Sequence, residues 1–336
     1  MRVGVTGVSG YIGRLLLKRL DADPEITQIV GLDVNPPPFK SKKLRFERVD
    51  IRDPSIAGRL KGLDALVHLA FIVEPLKDRK AMYDINLGGS KNVLKAAEAC
   101  SIPQLVVASS VAAYGTLKPG TEVVNESTPL VEEPRCYYAH TKYLVEKELD
   151  LFEERNPGVI VSRLRPTVLM GPNCYNFSLE LASWPMMLDV PGGGKIPIVH
   201  EDDTTSAFYL ALKKKAKGSF LISLPDPVPM TQFARMLEKR RAVLPGWAVY
   251  ELSWAMYRSG RGKFSPDWVI LFLKNRYPRL DVSKARTELG WEPTHGSEET
   301  IRSHFEGARL TWRDMFRKKD FRIGGMDYRK ATRKGA

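Results

Sequence analysis

Short apolar runs alternate with longer amphipathic stretches through the first half of the chain. The apolar runs predict strands at residues 3–5, 28–32, 44–49, 65–70 and 105–108, and the stretches between them include helices at 11–20 and about 79–99. Near-continuous apolar strands are typical of a parallel sheet covered by helices on both faces. The alternation therefore predicts an α/β fold, a doubly wound parallel sheet with its ligand crevice at the carboxyl ends of the strands. Asp33, Ala70 and Ser110 fall at that edge.

The first predicted strand runs into a glycine-rich turn, V-G-V-T-G-V-S-G-Y-I-G over residues 3–13, which leads into the first helix. Gly7, Gly10 and Gly13 remove side chains where a backbone turns sharply, approaches a pyrophosphate and packs a helix against a strand. The helix start adds free N–H donors. The pattern predicts an anion cradle, although on its own it is equally consistent with a tight turn that binds nothing.

An acidic residue ends the second predicted strand. Asp33 lies 20 residues after Gly13, where a carboxylate can accept hydrogen bonds from an adenosine ribose and would repel the extra phosphate of NADP. We therefore expect NAD rather than NADP as the cofactor, although Lys40, Lys42 and Lys43 are nearby. A loop-entry role is the alternative for Asp33, and the glycine turn upstream favours the ribose role.

A tyrosine and a lysine four residues apart are the candidate chemical groups. Tyr138 and Lys142 lie in a segment with the pattern of a helix running to about Arg155, so both side chains share one face. A free phenol, with a pKa near 10, is a poor base at neutral pH. An ammonium about 4 Å away contributes on the order of 4 kcal/mol at an effective dielectric of about 20, enough to lower that pKa by roughly three units. An exposed tyrosine beside a surface lysine is the alternative.

Composition limits the class of protein. The 336 residues are 43% hydrophobic, which permits a large core in one domain or two closely joined ones. Cys100, Cys136 and Cys174 form no C-x-x-C pair, and the five histidines show no ligand spacing, so we expect neither a disulfide framework nor a metal site. With a strand directly after the first Met and no apolar run near the roughly 18 residues that span a bilayer, we expect a soluble cytoplasmic protein.

The net charge of +13 bears on the partners. Lysine and arginine are concentrated at residues 40–45, 213–217 and in a basic tail at 313–336. No helix-turn-helix, zinc or RNA-recognition motif accompanies them, so we expect an anionic small molecule rather than nucleic acid as the partner. Peripheral contact with an anionic membrane is a weaker alternative.

Seven motifs occur along nearly the whole chain, up to about residue 312. They are T-G-V-S-G-Y-I-G from Thr6, Asp50-Ile51, S-S-V-A-A-Y-G from Ser109, Y-A-H-T-K from Tyr138, R-P-T-V-L-M-G-P from Arg165, V-H-E-D-D from Val199 and L-D-V-S-K-A-R-T-E-L-G-W from Leu280. In this order they resemble the extended short-chain dehydrogenase/reductases, in particular NAD-dependent epimerases and dehydratases similar to UDP-glucose 4-epimerase. The resemblance implies a Rossmann-type domain over 1–172, rejoined by about 196–224, and a smaller, mainly helical substrate-binding region over 173–312.

The resemblance also implies roles for the matching residues. Tyr138 would be the general acid/base, Lys142 would lower its pKa and bind the nicotinamide ribose, and Ser110 would hydrogen-bond the reacting oxygen. The implied cofactor contacts are the glycine turn at the pyrophosphate, Asp33 at the adenosine ribose, Asp50 and Ile51 at the adenine, and residues beside the cofactor from the following strands. By position these contacts are Gly7, Gly10, Tyr11, Ile12, Gly13, Asp33, Asp50, Ile51, Leu69, Ala70, Phe71, Asn86, Tyr138, Lys142 and Pro166.

The second half departs from the sugar-nucleotide members of the family. They usually carry an asparagine where this chain has Val168, and often an arginine where it has Ile196 and Pro197, with only Lys195 nearby. We expect a helix that begins at Asp202 or Asp203, with this acidic cluster at its N-cap. Aromatic residues then recur near helical spacing, for which we expect core or dimer packing and keep an apolar substrate pocket as the alternative; they are Trp247, Tyr250, Trp254, Tyr257, Phe264, Trp268 and Phe272.

Our leading hypothesis is an NAD-dependent epimerase or dehydratase that oxidises a secondary alcohol of a nucleotide-linked sugar or a similar polyhydroxylated substrate, as a homodimer. The first alternative is a net dehydrogenase or ketoreductase acting on a more apolar alcohol. The second is a cofactor-binding protein without turnover. The complete set of Ser110, Tyr138 and Lys142 argues against the last, because a protein that only binds the cofactor does not need all three.

Overall fold

The computed structural model describes residues 1–73, 78–174, 176, 178–179, 184, 186–260, 266–275 and 278–307. The predicted basic tail at 313–336 and Phe264 lie outside the described residues. In chain order the strands are β1 (Arg2–Thr6), β2 (Gln28–Asp33), β3 (Leu44–Arg48), β4 (Ala65–His68), β5 (Gln104–Ala108), β6 (Val123–Val124), β7 (Ile160–Pro166), β8 (Val168–Met170), β9 (Met186–Asp189), β10 (Lys195–Ile196), β11 (Ile198–His200), β12 (Gly218–Ile222), β13 (Val228–Pro229), β14 (Arg240–Val243) and β15 (Arg279–Leu280).

The α-helices are α1 (Tyr11–Ala22), α2 (Ile56–Leu60), α3 (Arg79–Tyr83), α4 (Gly89–Ala99), α5 (Tyr137–Arg155), α6 (Glu201–Lys214), α7 (Met230–Met236), α8 (Gly246–Arg258), α9 (Val269–Asn275) and α10 (Ser297–Gly307). Short 3₁₀ segments lie at Val111–Tyr114 and Pro266–Trp268, and π-helical segments at Asp84–Gly88 and Ala285–Leu289. The helix predicted at about 79–99 is therefore present, with a π-helical turn in its middle. None of these helices is long and apolar enough to cross a membrane.

Seven parallel strands form the main sheet, in the order β12-β7-β5-β4-β1-β2-β3. The order reverses direction beside β1, which makes this a doubly wound, Rossmann-type sheet and confirms the predicted fold class. The five predicted strands are also confirmed, although β4 ends at His68, before Leu69 and Ala70. The backbone leaves the strand there to pass the glycine turn.

Helices cover both faces of this sheet. Ala65 and Val67 belong to an apolar cluster that includes residues of α1 and α6, whereas Leu66 between them belongs to a second cluster with residues of α4 and α5. Successive strand side chains point to opposite faces, so the two clusters are the two layers of core. Strands buried on both faces account for the continuous apolar runs in the sequence.

The start of α6 corrects one sequence-based prediction. The helix begins at Glu201, and its N-cap is His200, whose Nδ1 accepts a hydrogen bond from the Asp202 N–H at 3.2 Å. The prediction that the acidic cluster forms the cap is therefore wrong. Asp202 and Asp203 lie two and three positions after the N-cap, within the first turn, where negative charge interacts favourably with the helix dipole.

The glycine turn between β1 and α1 is packed backbone against backbone. Gly7 has a φ of +71°, and a Cβ built on it would lie 2.7 Å from the Ala70 nitrogen. A Cβ on Gly13 would lie 2.1 Å from the Gly7 carbonyl oxygen. These two glycines are therefore required for the first helix to sit this close to β1 and to the segment after β4.

Two helical glycines give a matched test of this packing. Gly13→Ala forces the Gly7 backbone to move, so we expect the free energy of unfolding to fall by about 1–3 kcal/mol. Gly58, an exposed glycine of α2, has open space around its Cβ position, so Gly58→Ala should be neutral or raise the free energy of unfolding by about 0.5–1 kcal/mol. Urea denaturation measures both, and equal effects would contradict the proposed packing.

Candidate functional site

The carboxyl ends of β1, β2, β4 and β5 meet at one edge of the sheet, and the predicted residues lie along it. The first helix starts there at Tyr11, and its N-cap, Gly10, makes no side-chain capping hydrogen bond. A helix start without a side-chain cap leaves N–H groups for a ligand and favours negative charge. Within the turn, the Gly7 and Gly10 N–H groups donate to the Leu32 and Gly7 carbonyls, and an added Cβ at Gly7 or Gly13 would collide with protein backbone.

Asp33 at the end of β2 braces this turn. One carboxylate oxygen accepts a hydrogen bond from the Ser9 N–H and the other from the Asn35 N–H, both at 3.1 Å. Burial raises the pKa of Asp33, and the backbone N–H groups that it accepts from oppose that rise. Asp33 therefore lies beside the glycine turn, as its spacing predicted.

Asp50 and Ile51 have structural partners. The Arg52 guanidinium donates to the Asp50 carboxylate at 2.8 Å and to Asp84 at 2.8 Å, and so links the segment after β3 to the π-helical turn. The Ile51 side chain is buried, and a Cβ on Gly89 would lie 2.5 Å from its Cδ1. The side chains at these two predicted adenine contacts thus connect the segment after β3 to the π-helical turn and to α4.

The segment after β4 is held by a buried asparagine. Asn86 lies in the π-helical turn, where its Oδ1 accepts from the Ile72 N–H at 2.7 Å and its Nδ2 donates to the Ile72 carbonyl at 2.9 Å. This pair of bonds fixes the backbone that follows Leu69, Ala70 and Phe71. Asn86 therefore lies at the border of the predicted cofactor site, and π-helical turns are frequent at functional sites.

A neutral histidine lies beneath the same segment. His68, the last residue of β4, lies between the Thr6 hydroxyl at 2.7 Å and the Ser90 hydroxyl at 3.0 Å. Burial, together with the nearby Lys142 charge, lowers the pKa of His68 to about 3. The imidazole is uncharged at neutral pH and links the ends of β1 and β4 to α4.

Tyr138 and Lys142 lie on α5, as predicted, and Tyr138 is enclosed by aromatic rings. The Phe71 ring meets the Tyr138 ring edge to face at 5.6 Å, and the Trp268 ring lies 4.4 Å from it at an angle of 38°. Lys142 Nζ lies 5.7 Å from the centre of the Tyr138 ring and 3.6 Å above the Phe71 ring. The exposed tyrosine and surface lysine of the alternative interpretation are excluded, because Tyr138 is 8% exposed and Lys142 3%.

Lys142 is a buried and strongly perturbed base of the site. Its Nζ donates a 2.6 Å hydrogen bond to the Ala108 carbonyl at the end of β5. Burial lowers the pKa of Lys142, the Glu146 carboxylate partly opposes this, and the result is a pKa of about 7. Perturbed lysines of this kind are typical of functional sites, and the balance of these two effects decides how much of Lys142 is charged at neutral pH.

Ser110 follows β5 and caps the 3₁₀ segment after it. Its Oγ accepts from the Ala112 N–H at 3.1 Å and lies 3.5 Å from the Pro166 carbonyl at the end of β7. Ala112 and Tyr138 share one apolar cluster. Ser110, Pro166, Tyr138 and Lys142 are thus contributed by three neighbouring elements at one edge of the sheet.

A buried charged cluster was missed by the sequence analysis. Glu146, one helical turn after Lys142, accepts from Arg165 Nε at 2.8 Å and Nη2 at 3.1 Å, from Arg163 Nη1 at 3.0 Å and from Ser109 Oγ at 2.5 Å. We call Glu146, Arg163, Arg165 and Ser109 the Glu146 network. The spacing of Glu146 from Lys142 was a signal for it, whereas its partners on β7 were not evident from the sequence.

The aromatic stripe divides into two parts. Tyr250 and Trp268 pack in the same apolar cluster as Tyr138, together with Ile270 and Leu271. Trp247, in contrast, is 73% exposed at the start of α8. Core packing therefore explains only part of the stripe, and Trp268 brings the C-terminal region into contact with the candidate chemical group.

The positions that depart from the sugar-nucleotide pattern lie in the C-terminal core. Val168 and Ile196 belong to one apolar cluster with Met170 and Ile198.

At the other end of the site, the Tyr11 hydroxyl donates to the Glu201 carboxylate at 2.5 Å, and burial raises the pKa of Tyr11. The Tyr11 side chain is thus tied to α6, while its backbone begins α1.

One group of side chains among the described residues has metal-ligand distances. His200, Asp202 and His295 place one ligand atom each within 4.8 Å of one another. The two imidazoles stack face to face, with centres 3.7 Å apart at an angle of 16°. Their lone pairs therefore lie in nearly parallel planes rather than converging. His200 also caps α6 and His295 contacts Asp203, so both rings have structural roles.

Comparison with known proteins places this geometry in a family. The family model described as the NAD dependent epimerase/dehydratase family matches residues 3–222. The chain is 27% identical over 310 residues to the uncharacterized protein y4nG of Sinorhizobium fredii, covering 88% of this chain and 76% of that protein. It is 25% identical over 333 residues to UDP-glucose 4-epimerase of Lactobacillus helveticus, covering 90% and 94%.

The fold is also similar to solved structures. MoeE5 in complex with UDP-glucuronic acid and NAD superposes with a TM-score of 0.72 at 22% identity, covering 92% of this chain and 99% of that one. This similarity agrees with the sheet order and with the resemblance to extended short-chain dehydrogenase/reductases drawn from the sequence motifs.

Proposed function

The chain belongs to the NAD-dependent epimerase/dehydratase family, and we propose that it oxidises a secondary alcohol by hydride transfer to NAD at the site around Tyr138. The observation that carries this proposal is the convergence of Ser110, after β5, with Tyr138 and Lys142 of α5, at the sheet edge that also carries the glycine turn. An isolated tyrosine-lysine pair could be accidental. A buried pair at the carboxyl edge of a doubly wound sheet lies where such folds bind their ligands.

The residues present fit NAD. The start of α1 has no side-chain cap, and Gly7, Gly10 and Gly13 carry no side chain, which suits the close approach of a pyrophosphate to backbone N–H groups. Asp33 would accept from the adenosine ribose hydroxyls and disfavour the phosphate of NADP, since its carboxylate already lies against Ser9 of the turn. Ala70 and Phe71 would form the side of the cofactor site nearest β4, together with Asn86 and its two hydrogen bonds to the Ile72 backbone, which we call the Asn86 clamp.

In the proposed chemistry, the Tyr138 phenolate accepts the hydroxyl proton of the substrate. The charged form of Lys142 stabilises that phenolate and binds the nicotinamide ribose, and the Ser110 hydroxyl donates to the reacting oxygen. NAD, when bound, supplies a hydride acceptor at C4 of the nicotinamide. The hydroxyl oxygen loses its proton and the carbon that bears it loses a hydride, so the alcohol becomes a ketone. If this ketone takes the hydride back on its other face the outcome is epimerisation, and if it leaves the outcome is net oxidation.

A nucleotide-linked sugar is the proposed substrate. The UDP-glucose 4-epimerase of Lactobacillus helveticus matches nearly the whole chain, and MoeE5, solved with UDP-glucuronic acid, shares the fold. The second candidate is net oxidation of a more apolar alcohol. It is favoured by one specific observation, the Trp268 ring 4.4 Å from Tyr138 within an apolar cluster that also contains Tyr250 and Ile270.

Removal of the Tyr138 hydroxyl tests the assigned base. Tyr138→Phe should lower turnover by about 10²–10⁴-fold, because a positioned acid/base contributes about that much, and should leave NAD affinity within a few-fold of wild type. Tyr143→Phe on the same helix is the matched control and should retain turnover. Steady-state rates and NAD titration measure the two effects, and an active Tyr138→Phe enzyme would contradict the assignment.

Product analysis with NAD separates the two substrate proposals. A panel of UDP-sugars and of cyclic apolar alcohols is incubated with enzyme and NAD, NADH is followed by absorbance, and products are resolved by chromatography. Interconverted sugar isomers without net NADH formation would support the epimerase. Stoichiometric NADH formation with an apolar alcohol would instead support the second candidate and overturn the nucleotide-sugar proposal. In that case the Trp268→Ala variant should form NADH from this alcohol more slowly.

A further inference from the structure

Glu146 carries a negative charge where burial alone would remove it. Its side chain is 0% exposed, and it lies on α5 four residues after Lys142. Burial raises the pKa of the Glu146 carboxyl, but hydrogen bonds and charge from Arg165, with further contributions from Arg163 and Ser109, lower it to about 2. The carboxylate is therefore ionised throughout the neutral range, and a buried charge of this kind persists only when it is fully paired.

The contacts of Glu146 reach the strand ends that carry the reacting groups. Ser109 directly precedes Ser110, and Arg165 directly precedes Pro166. Arg165 also donates to the Tyr114 hydroxyl at 2.9 Å, at the end of the 3₁₀ segment that Ser110 begins. One carboxylate thus joins the end of β5, the end of β7 and the middle of α5.

Glu146 is also the negative charge that favours the ammonium form of Lys142 within the described part of the chain. The other groups around the ammonium are the Ala108 carbonyl, the Phe71 and Tyr138 rings and the neutral His68. The rings and the carbonyl attract a cation weakly and carry no net charge. The charge balance at Lys142 therefore depends on Glu146 and on the two arginines that share it.

We propose that Glu146 is a positioning residue, which holds the strand ends bearing Ser110 and Pro166 against the helix bearing Tyr138 and Lys142 and places a negative charge one helical turn from the Lys142 ammonium. The proposal rests on the proposed function, because it assigns Glu146 a role through Lys142. It predicts that the negative charge of Glu146 and the positive charge of Arg163, and not only the packing of these side chains, control the pH range in which the site binds NAD.

NAD affinity as a function of pH tests this proposal without any need for substrate. If Lys142 binds the nicotinamide ribose as a cation, wild-type affinity falls as pH rises through the range in which Lys142 loses its proton. Glu146→Gln removes the anion one helical turn from Lys142 and should move this fall to lower pH by about one to two units, since a nearby opposite charge shifts a pKa by about 1–3 units. Glu146→Asp keeps the charge and should leave the fall near its wild-type pH, even where affinity is lower.

Two further variants separate charge from folding. Arg163→Gln removes one cation but leaves the paired Arg165 contact, so the fall in NAD affinity should move to higher pH, opposite to Glu146→Gln. Glu148→Gln neutralises an acid of the same helix whose partner is Lys91, so it should leave the profile unchanged. Arg163→Gln and Glu146→Asp decide the question if Glu146→Gln does not fold.

The results separate failure of the role proposed for Glu146 from failure of the role proposed for Lys142 in NAD binding. If Glu146→Gln and Arg163→Gln lower the melting temperature without opposite shifts of the pH profile, the Glu146 network is only structural and the proposal is overturned. If wild-type NAD affinity shows no fall with pH, while NAD still binds, the role of Lys142 in the proposed function fails instead. Opposite shifts with an unchanged Glu148→Gln profile support the proposal.

Discussion

Close approach of backbone to backbone at the glycine turn is the constraint on which the rest of the site depends. The Cβ positions of Gly7 and Gly13 are already occupied by the Ala70 backbone and the Gly7 carbonyl. Helix α1 therefore starts directly at the sheet edge, and the segment after β4 passes beside it. Asp33 braces the turn from one side, and Asn86 fixes the Ile72 backbone from the other. This packing brings the backbone of the turn, the start of α1 and the segment after β4 together at one point of the sheet edge.

Buried charged side chains occupy the opposite end of the same sheet edge. Lys142 and Glu146 are both buried on α5, and each is tolerated because the strand ends supply its partners, the Ala108 carbonyl for one and the β7 arginines for the other. Such clusters cost desolvation energy, and losing one partner is strongly destabilising. Aromatic rings complete the enclosure, with Phe71 from the β4 side and Trp268 from the C-terminal region. The fold thus places an apolar surface beside the candidate acid/base.

Local patterns predicted what local physics determines. Apolar runs identified the five strands, glycine spacing identified the turn, and the spacing of four between Tyr138 and Lys142 put them on one helix face. The Asn86 clamp depends on a π-helical turn that helix periodicity does not reveal, and the contact of Trp268 with Tyr138 joins residues 130 positions apart. The helix cap at His200 was missed because acidic residues are the stronger capping type, whereas β11 continues to His200 and α6 begins directly after it.

The central claim is that one cofactor connects the glycine turn to Tyr138 and Lys142. A crystal structure with NAD tests it most directly. We expect the pyrophosphate against residues 7–13 and the adenosine ribose at Asp33. C4 of the nicotinamide should face a space beside the Tyr138 hydroxyl in which a substrate carbon would lie about 3–3.5 Å from C4. A nicotinamide bound away from Tyr138, or a pyrophosphate bound elsewhere than at the turn, would contradict the account.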